Sequence, residues 1–416
     1  MASVGIIGLG YVGLPLAVAF AEEGCEVVAV DVDARKVEAV GAGDSYIEDV
    51  SSEDLKAASG RIRATTRYQL LGDTEAVLIC VPTPLTANRE PDLGSLIDAS
   101  RALADVLRPG QLVVLESTTY PGTTRERVAP LLEESGLAAG RDFHLAFSPE
   151  RVDPGRSDYT LRNTPKVLAG LTEACADRAE ALYGLVCDNL VRVSSPEAAE
   201  LAKLLENIFR SVNIALVNEL AMLTDRMGID VWEVVEAAAT KPYGFMRFEP
   251  GPGMGGHCLP VDPFYLSWRA REFDVATEFI ELAGKVNQRM PYHCVAKAQR
   301  ALNGAGLSVK GARIAVLGVS YKPGVGDIRE SPALKIIAQL QDLGANVCYH
   351  DPHVPALADP PMRSRPLSEA IADADLVLIV TAHPDVDHGL VAQRARLVVD
   401  LRGVTRSTGA ANVVRL

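Results

Sequence analysis

The order of apolar and polar residues divides the chain into three stretches. In the first, short apolar runs such as VGIIGLG (4–10), CEVVAVD (25–31) and AVLICVPTP (76–84) alternate with segments of helical periodicity. Strands that alternate with helices favour a parallel sheet covered on both faces. The pattern predicts an α/β domain over residues 1–193.

The second stretch, 194–300, is dominated by helical periodicity. It begins with SSPEAAELAKLLENIFRSVNIALVNELAMLTDRMG, which predicts a helix from Pro196 to Met227. Ser195 is a suitable N-cap and Gly228 a suitable stop. Such a helix is about 45 Å long at 1.5 Å per residue. A helix of this length usually needs cover from outside its own domain, and we expect two subunits to pair along it.

The third stretch, 301–416, returns to alternation with ARIAVLGVSY, SPALKIIAQLQDLG, ANVCYHDP and ADLVLIVTAHP. It predicts a second α/β unit that lacks a GxGxxG pattern and leaves room for a nucleotide-like group bound through different phosphate chemistry. The predicted fold class is therefore two Rossmann-like doubly wound parallel-sheet domains, joined by a long central helix and a helical dimerisation segment.

Composition narrows the partners and the compartment. The formal net charge of −13 disfavours nucleic acid and anionic membranes, although basic residues could still gather around a small anionic substrate. No apolar run reaches the roughly 18 residues of a membrane span, and the N-terminus lacks the basic region of a signal peptide. Seven cysteines without a CxxC pair argue against disulfides and a zinc cluster. We expect a cytoplasmic protein with no bound metal.

A glycine-rich turn follows the first predicted strand. Gly8, Gly10 and Gly13 form a GxGxxG pattern, in which bare backbone can approach a pyrophosphate and the helix N-terminus favours its charge. Asp31 lies 18 residues past Gly13, a spacing that suits a carboxylate bonding both ribose hydroxyls. The same carboxylate would repel a 2′-phosphate, so NAD is favoured over NADP. Lys36 could contact the pyrophosphate or face solvent.

The segment FEPGPGMGGHCLPVDPFYL (248–266) surrounds one cysteine, Cys258, with glycine and proline. A thiolate is a strong nucleophile, and glycines let backbone amides converge on it and on a substrate carbonyl. The alternative is a tight connecting turn that happens to contain a cysteine. His257 is no metal signal, because no second pair of ligands has zinc spacing.

Polar residues elsewhere could share a site with that thiol. Lys203, Asn207 and Arg210 fall at i, i+4 and i+7 on the long predicted helix, so they form one stripe. If the stripe faces a cleft, Lys203 and Asn207 can stabilise a developing oxyanion. The alternative is a solvated helix face.

Three more polar residues stand where predicted strands of the first domain end. They are Thr83 in VPTP, Thr118 in ESTTYPGTT and Glu150 in SPER. Open parallel sheets bind ligands at the carboxyl ends of their strands, so Thr83 is expected to face the cofactor. Turn chemistry is the alternative for Thr118 and Glu150.

In this order, the motifs resemble the nucleotide-sugar 6-dehydrogenases, the family of the UDP-glucose and UDP-N-acetylhexosamine dehydrogenases. The resemblance covers essentially the whole chain and rests on GIIGLGYVGLPLA, ESTTYPGTT, SPER, AKLLENIFRSVNIALVNEL, GPGMGGHCLPVDPFYL, YKPGVGDIRESPALKI, YHDP and VVDLRG. It implies an NAD-binding domain (1–193), a central helical dimerisation and catalytic segment (194–300) and a UDP-sugar-binding domain (301–416) in a homodimer.

The resemblance also implies a reaction and roles for individual residues. Two NAD molecules in succession oxidise the sugar C6 alcohol to a carboxylate; Cys258 adds to the intermediate aldehyde, and a thioester is then hydrolysed. Lys203 and Asn207 match the pair that stabilises oxyanions. Asp262 matches a carboxylate that transfers protons through water. Glu150 matches the acid or base of thioester formation and hydrolysis, and Thr118 a hydroxyl near water and nicotinamide.

Further contacts are expected with both ligands. The expected cofactor contacts are Gly8, Gly10, Tyr11, Val12, Gly13, Asp31, Lys36, Thr83, Thr118 and Arg329. The expected UDP-sugar contacts are Glu150, Arg151, Val152, Lys203, Asn207, Arg210, Arg247, Gly255, Lys322 and Arg402. Pro323 departs from the family pattern, because many relatives have a second lysine there.

Within the family, ENIFRSVNIA and KPYGFMRFEPGPGMGGHCLPVDPFYLSWRAREFD are closer to the UDP-N-acetylglucosamine type than to the UDP-glucose type. UDP-glucose, UDP-N-acetylgalactosamine and UDP-N-acetylmannosamine stay open as alternatives, because epimers differ by one hydroxyl. A two-electron NAD-dependent hydroxyacid dehydrogenase would need no thiol. A non-catalytic nucleotide-sugar sensor would have no need of Cys258, Lys203 and Asp262 together.

Overall fold

The computed structural model of the protein describes residues 2–86, 88–152, 158–256 and 259–416. The chain forms two compact units, Met1–Glu206 with Phe264–Val275 and Asn207–Pro263 with Ala276–Leu416. His257 and the expected nucleophile Cys258 lie outside the described residues. The division into 1–193, 194–300 and 301–416 stays a prediction.

The first unit is built on an eight-stranded sheet. Its strands in chain order are β1 (Ser3–Ile7), β2 (Glu26–Val30), β3 (Ile62–Thr65), β4 (Ala76–Ile79), β5 (Leu112–Leu115), β6 (His144–Phe147), β7 (Lys166–Gly170) and β8 (Leu190–Arg192). They lie in the order β3-β2-β1-β4-β5-β6-β7-β8. The α-helices that lie between β1 and β8 in the chain are α1 (Gly13–Glu22), α2 (Ala34–Ala42), α3 (Ser52–Ala58), α4 (Gly94–Ala104), α5 (Ala129–Glu133) and α6 (Glu173–Tyr183).

Each face of this sheet carries its own apolar core. Successive strand residues point to opposite faces, so in β1 Val4 and Ile6 join one buried cluster and Ile7 joins the other. Strands buried on both faces need helices on both faces, and this confirms the predicted doubly wound sheet. β1 to β6 are parallel, whereas β7 is antiparallel to β6. A parallel crossover normally uses a helix, and the described part of the 148–165 connection contains none.

The predicted long helix is present as α7 (Pro196–Met227), which has 32 residues. The backbone N–H of Ala198 donates to Oγ of Ser195 at 3.2 Å, so the predicted N-cap is confirmed. Gly228 follows with a φ of +70°, a left-handed conformation that favours glycine. Among the described residues, the α-helices that follow before the second sheet are α8 (Val231–Ala239), α9 (Asp262–Ala270) and α10 (Glu278–Gly304).

The second unit contains a five-stranded parallel sheet and a short hairpin. Its strands are β9 (Arg313–Leu317), β10 (Asn346–His350), β11 (Ala356–Leu357), β12 (Met362–Arg363), β13 (Leu376–Ile379), β14 (Val398–Asp400) and β15 (Val413–Arg415). The sheet order is β10-β9-β13-β14-β15, and β11 pairs with β12. The remaining helices are α11 (Pro332–Asp342), α12 (Leu367–Ala372) and α13 (His388–Arg394).

Helices again cover both faces of the second sheet. One core joins the sheet to α10 and α11, and the other joins it to α12 and α13. The predicted second Rossmann-like unit is thereby confirmed. Among the described helices, none is both long enough and apolar enough to cross a membrane.

Candidate active-site residues

Close packing accounts for two of the three glycines in the GxGxxG turn. A Cβ on Gly13 would lie 1.8 Å from the carbonyl oxygen of Gly8, and Gly8 itself has a φ of +96° and faces the carbonyl of Cys80. Packing of the turn therefore excludes a side chain at both positions. A Cβ on Gly10 would meet no atom within 4 Å. The fold does not require glycine there, so the open backbone at Gly10 is free to receive a ligand.

The N-terminus of α1 fits a phosphate group. Val12 is the N-cap residue and its side chain makes no capping hydrogen bond. The first backbone N–H groups of the helix therefore lack a side-chain partner at this end, where a helix favours an anion. Tyr11, on the same turn, is partly exposed. Together with Gly10, these groups fit the pyrophosphate of a dinucleotide.

Asp31 follows β2 and is 6% exposed. Its Oδ2 accepts the Leu9 N–H at 2.8 Å and lies 3.3 Å from Nζ of Lys36, while its Oδ1 accepts the Asp33 N–H at 2.9 Å. A carboxylate oxygen has two acceptor positions, so Oδ1 retains one for a ribose hydroxyl. The carboxylate thus orders the glycine-rich turn, and Lys36 lies against Asp31; its contact with the pyrophosphate stays a prediction.

Thr83 and Thr118 are brought together at the ends of β4 and β5. Oγ1 of Thr83 donates to the carbonyl oxygen of Thr118 at 2.7 Å. The hydroxyl of Tyr265, which is fully buried, donates to the carbonyl oxygen of Thr83 at 2.6 Å. The carboxyl ends of these parallel strands thus place both threonines in one locality, as the ligand rule for open sheets predicts.

Glu150 lies past the end of β6, and its side chain is 18% exposed. Its Oε1 accepts the backbone N–H groups of Arg151 and Val152, both at 2.7 Å. Its Oε2 lies 3.6 Å from Nζ of Lys166. Burial works to raise the pKa of Glu150, but the Lys166 charge, the two N–H donors and the more distant charge of Lys203 hold it below its ordinary value. Glu150 is therefore an ionised carboxylate at neutral pH.

Arg151 is partly buried and makes polar contacts within the first unit. Its guanidinium lies 2.7 Å from Oε1 of Glu206 on α7 and also contacts the carbonyl oxygen of Pro165. The expected contact of Arg151 with a UDP-sugar stays a prediction.

Asn207 and Asp262 form a buried pair in the second unit. Asn207 on α7 is 8% exposed and Asp262, the first residue of α9, is 3% exposed. Nδ2 of Asn207 donates to Oδ2 of Asp262 at 2.5 Å. Asp262 follows Cys258 by four positions, so this hydrogen bond lies close in the sequence to the expected nucleophile.

The glycine-rich segment before Cys258 is packed closely against the loop after β9. A Cβ on Gly255 would lie 2.7 Å from Cβ of Tyr321, and Gly256, with a φ of +89°, faces the ring of the same tyrosine. The Gly256 N–H donates to the carbonyl oxygen of Arg329 at 2.9 Å. Close packing thus explains these glycines within the described residues; convergence of their amides on the thiol stays a prediction.

The expected C-terminal cations occupy different settings. Arg329 is paired with Asp327, its Nε lying 3.0 Å from Oδ1. Burial lowers the pKa of Arg402 below its usual value. Lys322 is partly exposed, and Arg247 pairs with Glu249 at 2.8 Å. Arg210 is exposed on α7.

Two buried carboxylates support the loops of these units. In the first unit, both oxygens of Glu200 receive donors from the loop after β5, namely the N–H groups of Gly122 and Thr124 and the Thr124 hydroxyl, at 2.6–2.9 Å. In the second, Oδ2 of Asp351 accepts the Val319 N–H at 2.7 Å and faces Nε2 of the fully buried His383 at 3.0 Å.

His383 has a defined tautomer. Its Nδ1 accepts the Gly324 N–H at 3.1 Å, so the proton resides on Nε2, which faces Asp351. His383 thereby fixes the backbone two residues past Lys322.

Sequence reasoning missed several residues that hold the site, above all Glu116, Lys166, Tyr183 and Tyr265. A signal was available for the two charges, because Glu116 directly follows the apolar run LVVL and Lys166 opens the apolar run KVLAG. Charges at the ends of buried strands are rarely buried without a partner.

The chain matches all three domain models of one family, described as the UDP-glucose/GDP-mannose dehydrogenase family. The NAD binding domain matches residues 2–186, the central domain 197–289 and the UDP binding domain 315–407. These matches span most of the chain.

Relatives and solved structures agree. The chain is 39% identical to the UDP-N-acetyl-D-mannosamine dehydrogenase of Pyrococcus horikoshii, and the match covers 92% of this chain and 90% of that protein. It is 37% identical to the UDP-N-acetyl-D-glucosamine 6-dehydrogenase of Pseudomonas aeruginosa, and the match covers 85% of this chain and 83% of that protein. A structure of the Pyrococcus horikoshii UDP-D-ManNAc dehydrogenase covers 99% of this chain and 98% of its own with a TM-score of 0.90 at 34% identity. The chain therefore belongs to the UDP-glucose/GDP-mannose dehydrogenase family and is an NAD-dependent UDP-sugar dehydrogenase.

Proposed function

We propose that the protein oxidises the C6 hydroxyl of a UDP-N-acetylhexosamine, with UDP-N-acetylglucosamine as the preferred substrate, to the uronate. Relatives at 39% and 37% identity carry N-acetylmannosamine and N-acetylglucosamine in their names, which supports an N-acetylated sugar. The motifs ENIFRSVNIA and KPYGFMRFEPGPGMGGHC favour the glucosamine substrate. UDP-N-acetylmannosamine is the second candidate, because a relative of that name shares 39% identity over 92% of the chain.

The hydrogen bond between Asn207 and Asp262 is the observation that carries this proposal. It holds a buried carboxylate four residues after Cys258 and beside an amide that can stabilise an oxyanion. A tight turn with a chance cysteine has no use for such a pair. In the first oxidation Asp262, acting through water, takes the proton of the C6 hydroxyl.

The thiol then carries the second oxidation. The Cys258 thiolate forms a bond to the aldehyde carbon, and Lys203 and Asn207 stabilise the negative oxygen. After loss of the second hydride a thioester remains. Water adds to its carbonyl carbon, Glu150 accepts the proton of that water, and the Cys258 thiolate leaves. One sugar consumes two NAD⁺ and one water and yields two NADH and three protons.

When bound, NAD⁺ would supply the hydride acceptor for each oxidation. Gly10, the N-terminus of α1 and the free acceptor position of Asp31 would hold it. We assign the binding of the UDP-sugar to Arg151, Val152, Arg210, Arg247, Gly255, Lys322 and Arg402.

We also propose the division into domains at 1–193, 194–300 and 301–416. The family matches at 2–186, 197–289 and 315–407 support it.

The test measures NADH formed per UDP-sugar consumed, across UDP-glucose and the UDP-linked N-acetyl derivatives of glucosamine, galactosamine and mannosamine. Two NADH per sugar, with UDP-N-acetylglucosamine fastest, is the expected result. One NADH per sugar would establish a two-electron reaction instead, and a faster N-acetylmannosamine substrate would move the assignment to that sugar.

A matched pair of cysteine variants tests the thiol. Cys258→Ser should lower uronate formation by at least about two orders of magnitude, because a hydroxyl is far less nucleophilic than a thiolate, while NADH binding stays unchanged. Cys348→Ser is the control, since Cys348 is the one described cysteine that is not buried. Full turnover by Cys258→Ser would refute the covalent route.

We also propose a homodimer formed along α7. Five apolar side chains on the part of this helix within the second unit are exposed at spacings of three, four or seven residues: Phe209 (47%), Leu216 (54%), Leu220 (39%), Leu223 (52%) and Met227 (60%). Such spacing forms one helix face, and exposed apolar stripes mark association sites. A second copy of the same helix provides a complementary face.

Light scattering of two variants tests the dimer. Leu220→Glu places a charge in the stripe and should yield monomer. Leu343→Glu is the control, because Leu343 has nearly the same exposure, 42%, and lies after α11. A Leu220→Glu protein with the mass of a dimer would exclude α7 as the interface.

A further inference from the structure

A buried set of charges lies behind Glu150 in the first unit. Lys166 is 3% exposed and Glu116 is 1% exposed. Nζ of Lys166 lies 3.0 Å from Oε2 of Glu116, 3.6 Å from Oε2 of Glu150 and 3.3 Å from the carbonyl oxygen of Pro149. The fully buried Tyr183 donates its hydroxyl hydrogen to Oε1 of Glu116. One ammonium thus connects a fully buried carboxylate with the carboxylate assigned to catalysis.

Stability by itself does not account for this arrangement. Removing charges from water costs several kcal/mol per ion, and an apolar set of the same volume is often as stable as a buried ion pair. With all three groups ionised, the set of Glu116, Lys166 and Glu150 carries a net charge of −1. The excess negative charge lies on the member that is partly exposed, Glu150, whose side chain is 18% exposed.

The remaining ionisable groups around Glu150 come from three other places. Cys80 follows β4 and Cys187 follows α6; burial raises the pKa of both thiols, that of Cys187 to about 11, so both are neutral near pH 7. Lys203 on α7 is a cation that favours the ionised form of Glu150, with less effect than Lys166.

We propose that Lys166 is a positioning residue, whose ammonium holds the Glu150 carboxylate and sets its charge, while Glu116 and Tyr183 hold the ammonium. The inference rests on the proposed function, because it concerns the carboxylate assigned to thioester hydrolysis. Lys166 touches neither substrate nor cofactor in this scheme. It acts through Glu150, which accepts the proton of the attacking water.

The shifts of the three groups agree with the geometry. Although burial works to lower the pKa of Lys166, Glu116 and Glu150 raise it above its usual value, so the ammonium stays protonated. Burial raises the pKa of Glu116 to about 7, against the effect of Lys166. Glu116 is therefore protonated in the acid range in which the Glu150 carboxyl titrates, and it does not then oppose the charge of Lys166.

Substitutions of Lys166 and of Glu116 should have different effects on Glu150. Lys166→Met removes the cation, so the pKa of Glu150 should rise by at least about one unit, since an opposite charge within 4–6 Å lowers a carboxyl pKa by one to three units. Glu116, with a pKa raised to about 7, is already protonated in the acid range where Glu150 titrates, so Glu116→Gln should leave the pKa of Glu150 near the wild-type value. Lys166→Arg keeps the charge and should leave it near the wild-type value.

Two readouts test this expectation. The acid limb of the kcat–pH profile should move up in Lys166→Met and move little in Glu116→Gln and Lys166→Arg. The Glu150 carboxyl can also be titrated directly by ¹³C NMR in glutamate-labelled protein, with Glu150→Gln identifying its signal. Lys297→Met is the matched control, because Lys297 is 5% exposed and pairs with Asp225 in the second unit. It should affect stability and leave both readouts unchanged.

No rise of the Glu150 pKa in Lys166→Met, or an equal rise in Lys166→Arg, would overturn the proposal. If Lys166→Met does not fold, Glu116→Gln/Lys166→Met removes the pair together, and its Glu150 pKa should exceed that of Glu116→Gln. The two proposals fail differently. Two NADH per sugar with an unresponsive Glu150 would refute the positioning role alone, whereas the expected NMR shifts in a protein that oxidises no UDP-sugar would refute the proposed function alone.

Discussion

Alanine at Gly13 and at Gly10 separates the two reasons for glycine in the nucleotide-binding turn. The Cβ of Gly13→Ala would lie 1.8 Å from the carbonyl oxygen of Gly8, and real Cβ atoms essentially never approach within 3.0 Å. The N-terminus of α1 and the turn must therefore separate by roughly 1.2 Å, which is overpacking of backbone against backbone. The side chains of Leu14, Ala17 and Phe20 on α1 are fully buried, so the helix cannot move without opening the core.

The structure allows an estimate of both effects. Overpacking commonly costs 1–3 kcal/mol, and a shift of backbone places Gly13→Ala at about 3 kcal/mol or more. For a domain of 150–250 residues this corresponds to a fall in Tm of about 6–12 °C. Gly10→Ala meets no neighbour and has no left-handed φ, so its effect on stability should stay within about 1 kcal/mol of zero. Its methyl group projects where the cofactor should lie, and NADH affinity should fall at least tenfold, about 1.4 kcal/mol.

Thermal unfolding by circular dichroism and NADH titration by fluorescence measure the two quantities. We expect Gly13→Ala to lose stability, and Gly10→Ala to keep stability and lose affinity. A Gly10→Ala protein that binds NADH within twofold of wild type would refute the assignment of the open backbone to the cofactor. A Gly13→Ala protein that melts within 1 °C of wild type would refute the packing argument.

Three further predictions concern buried carboxylates. Asp31→Ala should weaken the preference for NAD over NADP, measured as the ratio of the two KM values. It should also lower Tm, because the carboxylate orders the glycine-rich turn. An unchanged cofactor preference would remove the ribose role of Asp31. Glu200→Gln should destabilise the protein by about 1–3 kcal/mol in urea unfolding, because an amide has one acceptor oxygen for converging donors. The control Glu197→Gln should cost less than about 1 kcal/mol, because the Glu197 side chain is 32% exposed and pairs with Arg125. Equal losses in the two variants would contradict this. Although Asp351 is buried, its hydrogen bonds hold its pKa below the ordinary 3.8, so its contribution to the free energy of unfolding is present above pH 4 and lost as pH falls through the lowered value. The stability difference between wild type and Asp351→Asn in urea unfolding should therefore shrink below pH 4. A difference that grows there would contradict this sign.

The local structure of this protein was largely readable from its sequence. The helix from Pro196 to Met227 was predicted to both ends, because its caps are local: Ser195 accepts an N–H of the first turn, and Gly228 adopts a left-handed conformation. The doubly wound sheets were likewise predicted, because apolar runs bounded by helical periodicity require burial on both faces. The antiparallel direction of β7 was missed, since it depends on the connection after β6, whose described residues form no helix.

The site divides along the same line. The glycine-rich turn and Asp31 could be found from spacing, because their chemistry lies within one βαβ segment. The sequence also pointed to Asn207 and Asp262 as separate residues, through a helical stripe and a family resemblance. Their hydrogen bond joins positions 55 residues apart, and no local pattern encodes it.

The sequence by itself thus determined the long central helix, the two doubly wound units and the family, because these follow from periodicity, caps and short motifs. Only the tertiary structure decided which charges share a low-dielectric interior. Lys166 and Glu116 are separated by 50 residues and meet because β5 and β7 flank the same β6 strand. Such a pairing depends on sheet order and burial, and these are properties of the assembled unit rather than of any segment.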